Sequence, residues 1–448
     1  MTNNIVTTFA EIVTALYAEF IKAEAVKLGL VIDDAIARMI ARGCPTIAGS
    51  SGGKDSDVLV ILLNKLYQAV GYTGERVVVH ADMGLIEHAE SLGQVHALAA
   101  HVGWKVKVVR RKAGDLVQRY EQRWRDNVAR YVNLECVTLI SPWPSKNALF
   151  CRSEVKVSPI MQEAVRMFPG QAIINAVGLR REESDDRAMS PVSKENDGLV
   201  RANGTSGRDW FPILDILIER IWLIHLEEKF RWHVQYDRGN ERLSCAWCWL
   251  GVRDWKHGVK VETNHPSFIR MSALEIASGC PYAAEHWLCD EAPEVLPAEL
   301  REQIESAKRK GELRRQAELG IPKELLFKNH GGRRGWPDSQ PSMEQCELLA
   351  RVRREVGEVM GLELRYTTAQ DIYDRYGELL AEKAGRDKKK ARAEARRLEG
   401  RTVKGKRSKR RRIPVTSNIQ GEDVGAVVAA SVVHQPALTG YQQQAFAF

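Results

Sequence analysis

The short apolar run Thr46-Ile47-Ala48 passes through Gly49 into Ser51-Gly52-Gly53-Lys54-Asp55-Ser56, and Leu59, Leu62, Leu63, Leu66 and Val70 then recur on one helical face until Gly71. A strand that turns into a helix through paired glycines leaves few architectures open. Glycine lets the backbone approach an oxyanion closely, and a helix N-terminus adds partial positive charge. Lys54 contributes a point charge, and Ser51 and Ser56 contribute hydroxyls. The spacing differs from a Walker A loop, which holds four residues between its glycines and ends in Gly-Lys-Ser/Thr. The pattern predicts a phosphate cradle; the alternative is an ordinary glycine turn capped by Ser and Asp.

Three further buried-type strands are predicted: 76–81, 105–109 and 172–177, the second preceded by a helical stretch over 87–102. Strands alternating with helices of this length need crossover connections, which predicts an α/β fold with a doubly wound parallel sheet. Residues 5–42 read as helical, giving an N-terminal helical segment over 1–44 and a nucleotide domain over 45–275. Residues 188–209, rich in Ser, Asn, Asp and Gly, read as a surface loop. Helical patterns at 212–233, 294–317 and 342–384 imply a helical extension over 276–385, and 386–448 reads as a basic, disordered tail.

The net charge of +8 is concentrated in that tail, because Arg386 to Arg412 holds fifteen Lys or Arg against three acidic residues, a balance of +12 that leaves −4 for the rest. Such a stretch suits phosphate backbones, so nucleic acid is an expected partner through 386–412; a solvated, partly helical extension is the alternative. No apolar run reaches membrane-spanning length and the N-terminus lacks a basic leader, so a cytoplasmic protein with no membrane partner is expected. Eight cysteines are irregularly spaced apart from Cys245-Ala-Trp-Cys248, a pairing that points to metal or redox chemistry.

Ser51 to Ser56 resembles the S-G-G-x-D-S signature of the PP-loop superfamily. Further segments resemble its phosphoadenosine phosphosulfate (PAPS) reductase branch. His80-Ala81-Asp82-Met83-Gly84 lies where the branch carries a D-T-G-like turn, with Met83 in place of Thr. Cys151-Arg152-Ser153-Glu154-Val155-Lys156-Val157-Ser158-Pro159-Ile160 is similar to its C-T-x-x-L-K-x-x-P-I segment, and Gly178 to Ser184, followed by Arg187, to its G-x-R-x-x-E-S…R segment. The resemblance covers roughly 40–275 and implies an adenine nucleotide alpha hydrolase-like fold. It places Ser51, Gly52, Gly53, Lys54, Asp55, Ser56, Asp82, Lys156, Arg180 and Arg187 around the nucleotide, with Lys54, Asp55 and Arg180 in catalysis and Asp55 a candidate for holding Mg²⁺. A guanidinium fork suits an oxyanion, but Arg180 and Arg187 also have Glu182, Glu183 and Asp186 beside them as surface partners.

Arg242-Leu243-Ser244-Cys245 with Cys248 resembles the R-L-S-C-x-x-C run of iron–sulfur members of that family, which implies a 4Fe–4S cluster on Cys245, Cys248 and Cys151. Cys280 is the expected fourth ligand, with Cys289 behind it. Residue types alone leave Zn²⁺, a dithiol redox pair and inert buried thiols open.

Two chemistries share the fold that the resemblance implies. One uses ATP, cleaves its α–β bond, releases pyrophosphate and transfers sulfur or modifies nucleic acid, with a sulfur-donor protein as a partner. The other reduces PAPS or APS to sulfite. The C-terminal E-C-G-x-H motif of thiol-dependent reductases has no counterpart here, since the last cysteine stands in Glu344-Gln345-Cys346-Glu347-Leu348, and this favours ATP. A non-catalytic nucleic-acid-binding or regulatory protein is the third reading.

Overall fold

In a computed structural model, residues 2–328 and 335–407 are described, the side chains of 2–10 and 397–407 excepted. Among the described residues, those up to Lys383 form one compact unit and those from Ala384 belong to a second. The chain opens with α1 (Thr2–Lys27) and α2 (Asp34–Ala41), the latter capped by the Asp33 carboxylate on the Ile36 amide. The continuous helix expected over 5–42 is therefore two helices, broken where Gly29 adopts φ +74°.

The strands are β1 (Thr46–Gly49), β2 (Arg76–Asp82), β3 (Lys105–Arg110), β4 (Ala172–Ala176), β5 (Ser193–Glu195) and β6 (Ser206–Trp210), in the order β3-β2-β1-β4-β6-β5. All neighbours pair parallel except β5 with β6. Helices α3 (Lys54–Ala69), α4 (Ser91–Val102), α5 (Leu116–Val132), α6 (Ser158–Met167) and α7 (Ile218–Glu227) accompany this half of the chain. The fold is the expected doubly wound α/β sheet. Because β1 leads to β2 on one side and has β4 on the other, the order reverses between β1 and β4, where such sheets open a crevice beyond their carboxyl ends.

Residues 188–209 depart from the surface loop expected of them. They supply the short edge strand β5 and, into Trp210, β6; both are polar, with no apolar alternation to mark them, and β6 is fixed by pairing with β4.

Beyond 250 the chain is helical: α8 (His265–Ser278), α9 (Ala298–Leu319), α10 (Met343–Met360) and α11 (Ala369–Arg407). The pattern over 342–384 is two helices, α10 ending at Gly361 in the left-handed region. Helix α11 runs on through the first part of the basic stretch, so 386–407 is helical where disorder was expected; Ala, Arg, Lys and Glu are strong helix formers. The remainder, 408–448, lies outside the described residues.

Two large cores result. One packs α1, α2 and α3 under the sheet. The other joins Met83, Trp124, Trp143 and Phe150 to Trp247, Phe268, Leu288, Leu349 and Tyr376, so the helical extension and the nucleotide half share a single apolar interior.

Candidate functional site

The loop after β1 folds tightly. Gly52 takes φ +75°, and a Cβ there would stand 3.1 Å from the Ser91 carbonyl, so only glycine suits both backbone and space. The Gly52 amide donates to Ser50 Oγ at 3.1 Å, and Ser56 Oγ donates to the Gly53 carbonyl at 2.7 Å. His80, on β2, braces the loop from beneath through Nδ1 at 2.9 Å from the Ser50 carbonyl, while its Nε2 lies 3.2 Å from Glu87. Burial pulls its pKa down, but Glu87 and the Ser50 carbonyl outweigh this and hold it above the usual imidazole value.

Segments from far along the chain close over the loop. The Lys54 amide donates to the Tyr236 hydroxyl at 3.1 Å, and Leu243 and Tyr236 lie against Gly53. The amides of Ser51, Gly53 and Asp55 have no protein acceptor among the described residues, as befits a helix start. Lys54 is 4% exposed; its Nζ stands 5.1 Å from the Tyr236 ring centre and 3.3 Å from Asp55 Oδ2.

Arg180 follows β4, and its Nε donates to Asp55 Oδ1 at 2.6 Å. Gly178 permits this closure, since a Cβ there would come within 3.2 Å of the Asp55 carbonyl. Arg180 also pairs with Glu182, and Arg187 with Glu183. Both guanidiniums are thus engaged by the carboxylates that flank them in sequence. Asp82 pairs with Arg110 and accepts from the Gly84 amide at 2.7 Å. The loop, Asp55 and Arg180 meet at the β1/β4 crevice; Asp82 and Arg187 have other partners.

Both oxygens of Asp55 are occupied, one by Arg180 and one by Lys54. A carboxylate oxygen can accept more than one partner, so Mg²⁺ at Asp55 would share these oxygens with both cations.

Phe150–Arg152 leads into a wide π-type turn over Ser153–Val157 and then α6. Such turns are uncommon and recur at functional sites. Cys151, just before the turn, and Lys156, within it, act electrostatically on Cys245 together with Cys248. Burial pushes the Cys245 thiol up to about 12, against the pull of Lys156. Burial and the nearby Cys248 raise Cys151, and negative charge on Cys245 holds Lys156 above its usual value. Glu87 accepts from the Met83 amide at 3.1 Å and meets His80, while the Ala246 amide donates to the Ile86 carbonyl at 3.0 Å, so the segment that carries Cys245 lies beside the residues bracing the glycine loop.

Cys280 does not join this group. Its thiol donates to the Ser278 carbonyl at 3.5 Å and feels Arg314 and Glu318. Cys289 sits against Glu275. Both belong to the apolar interior, where free cysteine commonly resides. Among the described residues no three His, Cys, Asp or Glu side chains stand ready to hold a metal ion. Thiols are the soft donors that a sulfur-ligated group takes, but Cys151, Cys245 and Cys248 are free and do not form such a group among the described residues.

Sequence reasoning missed Tyr236, Trp222, His80, Glu87 and Glu241, whose backbone carbonyl lies 3.5 Å from Lys54 Nζ. Tyr236 is 182 residues from Lys54, and no local pattern links them.

No helix among the described residues is long and apolar enough to cross a membrane. Compared with known proteins, the chain is 26% identical over 204 residues to an uncharacterised protein from Methanocaldococcus jannaschii, an overlap covering 46% of this chain and 36% of that one, so it spans about a third of that relative's length. Among solved structures, a phosphate complex of PAPS reductase from Candida auris aligns with TM-score 0.32 and 15% identity, over 51% of this chain and 94% of the other. The U34-tRNA thiolase NcsA from Methanococcus maripaludis, solved with its 4Fe-4S cluster, aligns with TM-score 0.32 and 14% identity, over 66% of this chain and 80% of the other. Residues 46–250, the stretch that carries the glycine loop, Arg180 and the Cys245–Cys248 pair, match the phosphoadenosine phosphosulfate reductase domain family.

Proposed function

We propose that this chain is an enzyme of the PAPS reductase type that binds ATP at the β1/β4 crevice, cleaves it between the α and β phosphates and passes the activated acceptor to sulfur transfer or nucleic-acid modification. The observation that carries this reading is the glycine loop itself: three unsatisfied amides at the start of α3, backed by Lys54 and by Arg180 from the neighbouring strand end. These groups would stabilise charge growing on phosphate oxygens, commonly the largest single contribution to such transfers. Triphosphate entering the crevice would compete with Asp55 for Lys54 and Arg180, so the carboxylate keeps both cations positioned until phosphate takes them over.

ATP is favoured over PAPS or APS because reduction of a sulfonucleotide needs a mobile thiolate. Cys346, the last cysteine of the chain, is fully buried in α10. Cys151, Cys245 and Cys248 would hold a metal–sulfur group, an iron–sulfur cluster in preference to Zn²⁺ on the resemblance of the Cys245 segment, and such a group would supply a site for sulfur to bind.

Pyrophosphate release from ATP, assayed on anaerobically purified protein with and without RNA or DNA, tests the proposal. Lys54→Ala is expected to reduce it at least a hundredfold, roughly what losing one transition-state donor costs. Sulfite formation from PAPS with a thiol donor, and no pyrophosphate from ATP, would reverse the assignment.

A further inference from the structure

A groove of about 1280 Å³ lies between the edge strand β3, α5 and α6, with Ser153 and Glu154 of the π-type turn in its wall. Eight of its lining residues are Lys or Arg and three are Asp or Glu, a balance of +5 in a molecule whose residues outside 386–412 sum to −4. The acids are already committed. Glu154 binds Arg119 through both oxygens, Glu163 binds Lys107 and Arg166, and Asp126 accepts from Gln122.

Four cations remain without a carboxylate partner among the described residues. Arg111 donates to the Ala113 and Gly114 carbonyls, Arg123 to the Ser141 carbonyl and Arg130 to the Glu135 carbonyl, and Lys112 is exposed at the groove's mouth. The Arg130 Nε is buried with no acceptor. The guanidiniums of Arg119 and Arg123 lie 4.9 and 4.7 Å from the Phe150 ring centre, which holds them close together despite their like charge. Burial and the charge of Arg119 weaken the hold of Arg123 on its proton, a sign that this wall is short of negative charge.

Cations spread over three elements, with planar forks among them, match a linear array of phosphates better than a single compact anion. A walled groove admits one strand more readily than the convex face of a duplex. We propose that this groove binds the phosphodiester backbone of a single nucleic-acid strand. Ser153 and Glu154 of the π-type turn and Ser158, which opens α6, line the groove, and Cys151 stands two residues before Ser153, so a strand in the groove passes close along the chain to that cysteine. The inference deepens the reading of the enzyme as one that modifies nucleic acid and rests on it for its purpose, whereas binding itself requires no ATP.

The test is fluorescence anisotropy of labelled single-stranded RNA, single-stranded DNA and duplex DNA with the full-length protein, as a function of salt. Lys112→Glu combined with Gln122→Glu, both at exposed positions outside the loop site, is expected to weaken single-strand binding about tenfold or more and to lower the salt slope by about 1–2. Lys388→Gln, Lys389→Gln and Lys390→Gln together should weaken it far less, and both proteins should bind ATP as the parent does. Unchanged affinity in the groove variant overturns the proposal, as does an equal or greater loss in the Lys388–Lys390 variant, tighter binding of duplex than of single strands, or no binding by the parent. Failure of ATP turnover with groove binding intact would count against the proposed reaction alone.

Discussion

Asp55 and Arg180, 125 residues apart in sequence, meet at 2.6 Å and join the loop after β1 to the loop after β4. Lys54 completes the group at 3.3 Å from the second oxygen. Asp55 thereby serves as an internal counter-charge that keeps two buried cations from facing each other unscreened.

Removing one member should therefore cost more than removing two. Arg180→Ala is expected to lower stability by about 2 kcal/mol, somewhat less than for a fully buried pair because Asp55 keeps some contact with water. Asp55→Asn added to it should recover part of that loss. Urea denaturation of both single variants and the double variant measures the coupling, and strictly additive losses would show that the pair is not coupled.

Asp57, in the first turn of α3, gives a pH dependence of definite sign. Burial raises its carboxyl from 3.8 to about 8, opposed by the Gln94 amide at 3.0 Å. A folded pKa above the unfolded one means that folding takes up a proton, so the contribution of this group is most favourable below about 4 and is lost as pH rises toward about 8. Asp57→Asn should remove the dependence. The Tm difference, variant minus parent, is expected to widen from pH 5 to pH 8.5, whereas parallel curves would assign the burial cost elsewhere.

Lys156 should govern thiol reactivity. It opposes the burial that lifts Cys245 to about 12, so Lys156→Met drives that thiol higher still, and each unit removes about nine-tenths of the remaining thiolate. Alkylation by iodoacetamide at pH 8.5, followed by mass spectrometry, should slow at least severalfold at Cys245. An unaltered rate would place Lys156 outside the thiol group.

The cysteines divide into two classes that metal analysis can separate. Cys151→Ala and Cys245→Ala are expected to lose iron or zinc from anaerobically purified protein, while Cys280→Ala, at a site facing Ser278 and Arg314, should retain it. Loss of metal in Cys280→Ala with the fold intact by circular dichroism would restore that residue as a ligand.

The sheet's first half was legible because β1, β2, β3 and β4 are short apolar runs with helical periodicity between them. Strand β6 was not, since Ser206-Gly207-Arg208-Asp209 lacks apolar alternation and its position is fixed by pairing with β4. The loop was legible as a local motif. Its cover was invisible, because Tyr236, Trp222 and His225 reach Lys54 only through tertiary packing. The ion pairs of Arg180 and Arg187 were foreseen as one of two readings, and adjacent glutamates made that alternative visible in the sequence. For Cys280, spacing says nothing about which side of a buried helix end a thiol faces, and the thiol donates to the Ser278 carbonyl.

The apolar interior that joins Met83, Trp143 and Phe150 to Phe268, Leu349 and Tyr376 has a practical corollary. A fragment cut at 46 and 250 would expose Met83, Trp143 and Phe150 where the downstream members of their core had packed, and leave Trp143 without the Cys280 carbonyl that its indole meets at 2.9 Å. The stretch that carries the chemistry is thus no transplantable cassette: it borrows its solubility from the helices downstream, and excision would yield aggregate rather than a minimal enzyme.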